Sequence, residues 1–432
     1  MDLEAVYTAY VTGQAQNPSL MLAILPSHVL PPSAESMCAA LAISDLDVVS
    51  ATPREKSPEN PLDVEAVVAV PAGRPGATIA ARLGIGPSLD DLGDEVVASG
   101  VDEATRYACT RMSVWSVAVE VSFGDCEPLA ALHTQLAIAA AVAPEALAFL
   151  DLDAQRLWPA TRALTAARAP VAVPATELFT VQSLEHRKGM HWLHTHGLHR
   201  CGTLEVEALD VPAADASAIE MLMWATAMRF AEQGTPAPYS PFALGPGLDL
   251  AWLPWQDALD QMAVRGHGRL SERDELHRRP AAVLVAAAIG RSGAPEFAAL
   301  RVHAGAVRAG VPLYVSFGEL ERRAAAAAYT LARFRELVTM HTGDVTWSFA
   351  AEIGLPDAEG DLAEIVVVDV ESIDDVAVAG TLRAAPLAAP VDTEDAPVAG
   401  SRTSQPVERI VGWTATDPSG QRITQDDALY AD

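Results

Sequence analysis

Apolar and polar positions along this chain follow two periods, and the switches between them mark the expected elements. Residues 20–25 (LMLAIL) form a short apolar run ended by Pro26, which reads as a buried strand, and residues 33–41 suit a helix. The polar, proline-bounded stretch TPREKSPENP reads as a loop, and residues 63–70 (DVEAVVAV) return to a strand pattern. In residues 115–123, Val117, Val119, Val121 and Phe123 point one way along a strand, so one buried face is expected. Asp125 is placed to cap a helix over 127–143 whose first turn tolerates Pro128. A strand over 146–152, a helix over 154–167 and a strand opening at 178–181 complete a β-α-β-α-β order, which implies helices layered on sheet.

The middle of the chain reads as a hairpin. Residues 190–196 and 203–209 have the alternation of two strands, and Gly197 and Gly202 supply backbone freedom at both ends of the link. Antiparallel pairing then sets His196 opposite Thr203, His194 opposite Glu205 and Trp192 opposite Glu207. A helix over 213–232 follows, with Pro212 at its start and Gly234 beyond its end. Strands are expected at 248–253 and, after the polar stretch RGHGRLSERDELHRR, at 280–289. Beyond Pro312 the pattern predicts a helix over 319–338, with Leu320, Ala324, Ala327, Leu331, Phe334 and Val338 in one stripe. Three strands follow, through Val345, Trp347 and Phe349, through 365–370, and through Val376, Val378 and Leu382. A low-complexity loop, APLAAPVDTEDAPVAGSRTSQP, leads to a last strand over 407–413. The expected class is α+β, with helices packed on mixed or antiparallel sheets, in three parts: 1–175, 176–312 and 313–432.

Composition narrows the function classes. A chain of 432 residues exceeds what one core usually serves, and its 50% apolar content excludes a disordered chain. The first residues lack the basic flank and apolar run of a secretory signal, and no apolar stretch approaches the roughly 20 residues needed to cross a bilayer. A cytoplasmic protein is the expectation. Cys38, Cys109, Cys126 and Cys201 are widely spaced and form no CxxC pair, so reduced thiols are expected. Only Lys56 and Lys188 are lysines, which suits a GC-rich bacterial genome and leaves lysine chemistry little room. The net charge of −28 disfavours nucleic acid and anionic membranes and favours a basic protein partner. It is concentrated between Asp344 and Asp395, where thirteen acids face one base, Arg383. Asp357, Glu359, Asp361, Asp374 and Asp375 are the candidate contacts there.

Candidate chemistry gathers in HRKGMHWLHTHGLHRC, residues 186–201, which holds five of the eleven histidines. On the expected hairpin, one face presents His194, His196, Glu205 and Glu207, a sufficient donor set for zinc, iron or manganese. His199 and Cys201, in the link, are further candidate ligands, and Cys201 beside histidines is a candidate thiolate. Cross-strand His–Glu neighbours without metal remain the plain alternative. The chain has no HExxH helix, no GxxxxGK[ST], no GxGxxG after a strand and no GxSxG. Gly290-Arg-Ser-Gly293 is a turn that phosphate could contact. Met221, Met223 and Met228 read as core filler.

The run from His194 to Gly202, followed by Leu204-Glu-Val-Glu207, resembles the Thr-x-Gly-Leu…Gly…Glu-Leu-Glu signature of an uncharacterised bacterial domain-of-unknown-function family, the one numbered forty twenty-six, with forty-two sixty-one as a relative. The resemblance spans about residues 15 to 260 and is strongest from Trp192 to Leu209. The tail is similar to family twenty-three fourteen, through Ala328-Tyr-Thr-Leu-Ala-Arg-Phe334, Glu364-Ile-Val-Val-Val-Asp369, Gly380 and Leu382, with the stretch from Pro386 to Pro406 departing from its pattern. These resemblances imply architecture and no mechanism. The first functional expectation is therefore a non-catalytic, immunity- or inhibitor-like protein that binds a macromolecule through an acidic surface and needs no cofactor. The alternative is a metal-dependent hydrolase or oxygenase built on His194, His196 and Glu205.

Overall fold

The computed structural model describes residues 3–15, 17–55, 62–70, 76–87, 102–186, 189–261, 268, 273, 277, 280–289, 295–356, 362–384 and 399–430. Both lysines, Gly290-Arg-Ser-Gly293 and most of the expected loop at 52–61 lie outside them. The chain forms two compact units, Met1–Arg168 with Ala175–Ser316, and Ala169–Pro174 with Phe317–Asp432. The class is α+β. The expected division at 175/176 falls between two seven-stranded sheets of the first unit.

The first sheet is built from β1 (Ser19–Pro26), β2 (Val48–Pro53), β3 (Val64–Ala69), β4 (Thr78–Pro87), β5 (Ser113–Ser122), β6 (Ala148–Asp151) and β7 (Arg156–Pro159). Its order is β2-β3-β4-β5-β1-β6-β7, and every pairing is antiparallel. Val117, Val119, Val121 and Phe123 are buried, as their alternation requires, and the helix Pro128–Val142 packs on β1, β4 and β5. Glu127, not Asp125, caps that helix. Pro128 fixes the first helical position, so the residue just before it is the one whose carboxylate reaches Ala130 N, at 2.7 Å. The helix expected over 154–167 is shorter. Leu157 and Trp158 are buried in β7 opposite β6, and helix begins only at Ala160, after Pro159.

The second sheet contains β8 (Thr180–His186), β9 (Met190–His196), β10 (Glu205–Pro212), β11 (Phe242–Gly245), β12 (Leu248–Pro254), β13 (Ala281–Ile289) and β14 (Pro295–Ala298). The order is β11-β12-β13-β10-β9-β8, with β14 pairing β13. One pairing is parallel, β10 with β13 from Glu205 opposite Ala281 to Glu207 opposite Val283. The helix Ala216–Gln233 lies on β8, β9 and β10, with Met223 and Met228 buried and Met221 half-exposed. Pro212 ends β10 instead of opening that helix, whereas Gly234, at φ 79°, stops it as expected.

In the second unit, β15 (Ser348–Pro356), β16 (Leu362–Ile373), β17 (Ala377–Leu382), β18 (Arg402–Pro406), β19 (Ile410–Thr416) and β20 (Arg422–Thr424) form an antiparallel sheet of order β18-β17-β16-β15-β19-β20. The helix Phe317–Met340 packs on it, burying Ala327, Phe334 and Val338 of the expected stripe along with Leu337. Trp413 stacks on Phe334 at 4.8 Å and donates its indole N–H to Thr330 Oγ1 at 3.0 Å. Val345 and Val376 are exposed instead of lying in strands, because Asp344 and Asp374 accept from the following backbone N–H groups and hold turns there. The end of the expected low-complexity loop is β18; residues 385–398 lie outside the described residues.

Candidate metal centre

The link between β9 and β10 is a 3-10 turn, Leu198–Cys201, flanked by Gly197 at φ 113° and Gly202 at φ 71°. A side chain at Gly197 would place its Cβ 2.9 Å from Leu178 O, so both conformation and space call for glycine there. The helical turn uses more chain than a flat connection. The pairing therefore sets His194 opposite Glu207, two residues from the register that alternation alone suggests, and a bulge with Asp210 at φ 51° follows between Ala208 and Val211.

His194 and His196 alternate onto one face of β9, and His277 meets them from 83 positions beyond His194. One nitrogen from each of these three buried rings lies within 4.8 Å of the others. His194 Nε2 and His277 Nε2 are 3.0 Å apart. Two imidazoles bonded to one tetrahedral zinc at ~2.0–2.1 Å have nitrogens about 3.3 Å apart, so the pair needs only a small opening to take an ion. Burial, with His196, His277 and Arg273 nearby, holds His194 well below the usual imidazole range, so its ring is neutral with a lone pair to give. His194 Nδ1 has no hydrogen-bond partner among the described residues. Gln155 Nε2 stands 3.3 Å from His196 Nδ1, and Gln182 bonds Gln155 at 2.9 Å, so two amides brace that ring. The Trp192 ring packs beside His194 and His277, at 4.6 and 5.1 Å between centroids.

Neither glutamate of the expected set joins the rings. Glu207 is held bidentately by Arg273, at 2.7 and 2.5 Å, with both side chains buried. Glu205 turns into the link, where it accepts from Thr195 Oγ1 at 2.7 Å, Gly197 N at 2.9 Å and His199 Nδ1 at 2.8 Å. The turn concentrates N–H donors that a buried carboxylate must find somewhere. His199 is not placed with the cluster either: its Nε2 meets Asp153 at 2.7 Å, making a carboxylate–imidazolium–carboxylate bridge from β10 to the turn after β6. Burial alone would lower its pKa, but the hydrogen bonds that the ring donates to Asp153 and Glu205 outweigh that and raise it to about 9. Both carboxylates would be raised by burial, and the same hydrogen bonds bring them below the usual range.

Arg200 anchors the turn from the other side, bonding Asp151 at 2.8 Å, Ser19 Oγ at 3.2 Å and the Leu178 carbonyl. Burial pushes the Cys201 thiol up to about 12, the opposite of an activated thiolate. Among the expected acidic contacts, Asp374 is engaged in its turn, and the exposed Asp375 pairs with Arg335 at 2.7 Å. Asp357, Glu359 and Asp361 lie outside the described residues.

The residues that sequence reasoning missed are His277, Arg273 and Gln155. The first two sit in RGHGRLSERDELHRR, where a polar loop was the natural reading, and no spacing rule links them to β9. Among the described residues no helix is long and apolar enough to cross a membrane. No curated protein and no solved structure matches the chain. Residues 179–285, which span β8 through most of β13 and carry all three clustered histidines, match the family model described as "Protein of unknown function (DUF4026) C-terminal".

Proposed function

We propose that this protein binds a divalent transition metal, zinc in the first instance, through His194, His196 and His277. The observation that carries the reading is the convergence of three ring nitrogens, two from β9 and one from His277 far along the chain, within 4.8 Å in a buried site. Three imidazole nitrogens suit zinc, iron or copper better than manganese, which prefers oxygen donors. The set leaves one tetrahedral position for water or a small anion. With Glu207 committed to Arg273 and Glu205 to His199, neither nominated carboxylate is placed as a general base, so the geometry supports metal holding more directly than hydrolysis.

Elemental analysis and zinc titration of the untagged chain test this reading. One ion per chain is expected, with loss of binding in His196→Ala and His277→Ala while the fold persists. Stoichiometric binding unchanged by both substitutions would overturn it, as would no binding at micromolar zinc. The acid excess between Asp344 and Asp395 supports a second reading, contact with a basic protein partner, in which association weakens steeply with salt. A partner indifferent to ionic strength would count against it.

A further inference from the structure

We infer that Arg273, fixed by Glu207, is the positioning residue that delivers His277 to the metal site; the inference rests on the metal-binding reading. Arg273 uses its fork in three directions. Two nitrogens clamp Glu207 of β10, at 2.7 and 2.5 Å, while Nε donates to Gly268 O at 2.9 Å and NH1 to His277 O at 2.9 Å. Its guanidinium stands 5.1 Å from the Trp192 ring centre and 4.4 Å from that of Trp255. Trp192 belongs to β9, two residues before His194, so the arginine is indexed to both strands that frame the cluster.

The residue that it holds by the carbonyl is the one that carries the third imidazole. β13 opens at Ala281, four residues beyond His277, and the bond from Arg273 NH1 to the His277 carbonyl, with the clamp on Glu207, ties His277 to β10. A lysine at 273 would keep the charge opposite Glu207 but cannot present the planar, five-donor fork that reaches two carbonyls as well. Glu207, expected opposite Trp192 as a ligand on the histidine face, thus acts on the site one step removed. Its carboxylate sets the arginine, and the arginine sets the histidine.

Two variants test this, each read for zinc affinity by chelator competition, for fold by circular dichroism, and by proton–nitrogen NMR in the metal-free state. Arg273→Lys preserves the buried charge pair. Glu207→Leu/Arg273→Met replaces it with apolar side chains, a change that buried ion pairs often tolerate. Zinc affinity should fall by about 10–100-fold in both, the usual cost of losing an outer partner of a metal ligand, and approach that of His277→Ala.

The metal-free readout is the imidazole N–H proton shared between His194 and His277, assigned by its loss in His277→Ala, which should also be lost in both variants. Retained affinity and a retained shared proton in a folded variant would overturn the inference. If the double variant does not fold, Arg273→Lys decides. If the wild-type chain binds no zinc, the metal reading fails and the NMR arm alone decides whether Arg273 positions His277.

Discussion

His199 provides the most quantitative prediction, because its charge state is fixed by two named contacts. Its imidazole lies between Asp153 and Glu205, at 2.7 and 2.8 Å, and its pKa is raised from 6.5 to about 9. At about 1.4 kcal/mol per pKa unit, the bridge contributes about 3 kcal/mol of folding stability where the ring is charged in the native state and the unfolded ring is charged too. The sign follows from the direction of the shift. A raised pKa means that the stabilisation is complete below pH 6.5 and is lost as pH rises through about 9. Asp153 and Glu205 act in the opposite sense: their pKa values are lowered, so their contribution is present above the usual carboxylate range and is lost as pH falls through the lowered values.

Urea unfolding of the wild-type chain and His199→Gln at pH 6, 7.5 and 9.5 isolates the term. The wild-type advantage should shrink by about 3 kcal/mol between the first and last pH. An advantage independent of pH over that range would refute the assignment of a charged imidazole.

Three further outcomes follow from the same network and from the second unit. Arg200→Met leaves Asp151 buried beside an uncharged chain and should cost about 3–5 kcal/mol, seen as a lowered urea midpoint. Gly197→Ala forces a Cβ to within 2.9 Å of Leu178 O at φ 113° and should both destabilise the fold, by at least about 1 kcal/mol, and weaken zinc binding, because His196 is its neighbour. Trp413→Ala, which removes the ring stacked on Phe334 and the indole donor to Thr330, should cost about 3–5 kcal/mol; thermal unfolding unchanged from wild type would contradict the packing described.

Much of the fold was legible because apolar alternation and helix termini are local signals. The buried face of β5, the strand β13 and the helix Phe317–Met340 each appear where periodicity places them. The errors share a physical origin. β7 is four residues long and runs into a helix at Pro159, too short for its period to separate from the helix that follows. The strands expected from Val345 and Val376 start later because aspartate-held turns occupy those positions.

At the site, the hairpin and its histidines were readable, but its register was not. A 3-10 turn and a bulge add chain that alternation cannot see. His277 was invisible for a different reason: it comes next to His194 through the parallel pairing of β10 with β13, a contact between distant segments that leaves no local pattern. Glu207 was expected opposite Trp192 as a ligand; the structure sets it opposite His194 with Arg273 as its partner, and only the three-dimensional arrangement shows that charge satisfied before any ion arrives.

X-ray absorption at the zinc edge of the loaded chain tests the central claim most directly. Three imidazole nitrogens at ~2.0–2.1 Å, with one light-atom ligand completing the shell, are the predicted result. A sulfur at ~2.3 Å, which would bring Cys201 into the site, or a shell with fewer than two imidazoles, would contradict the account.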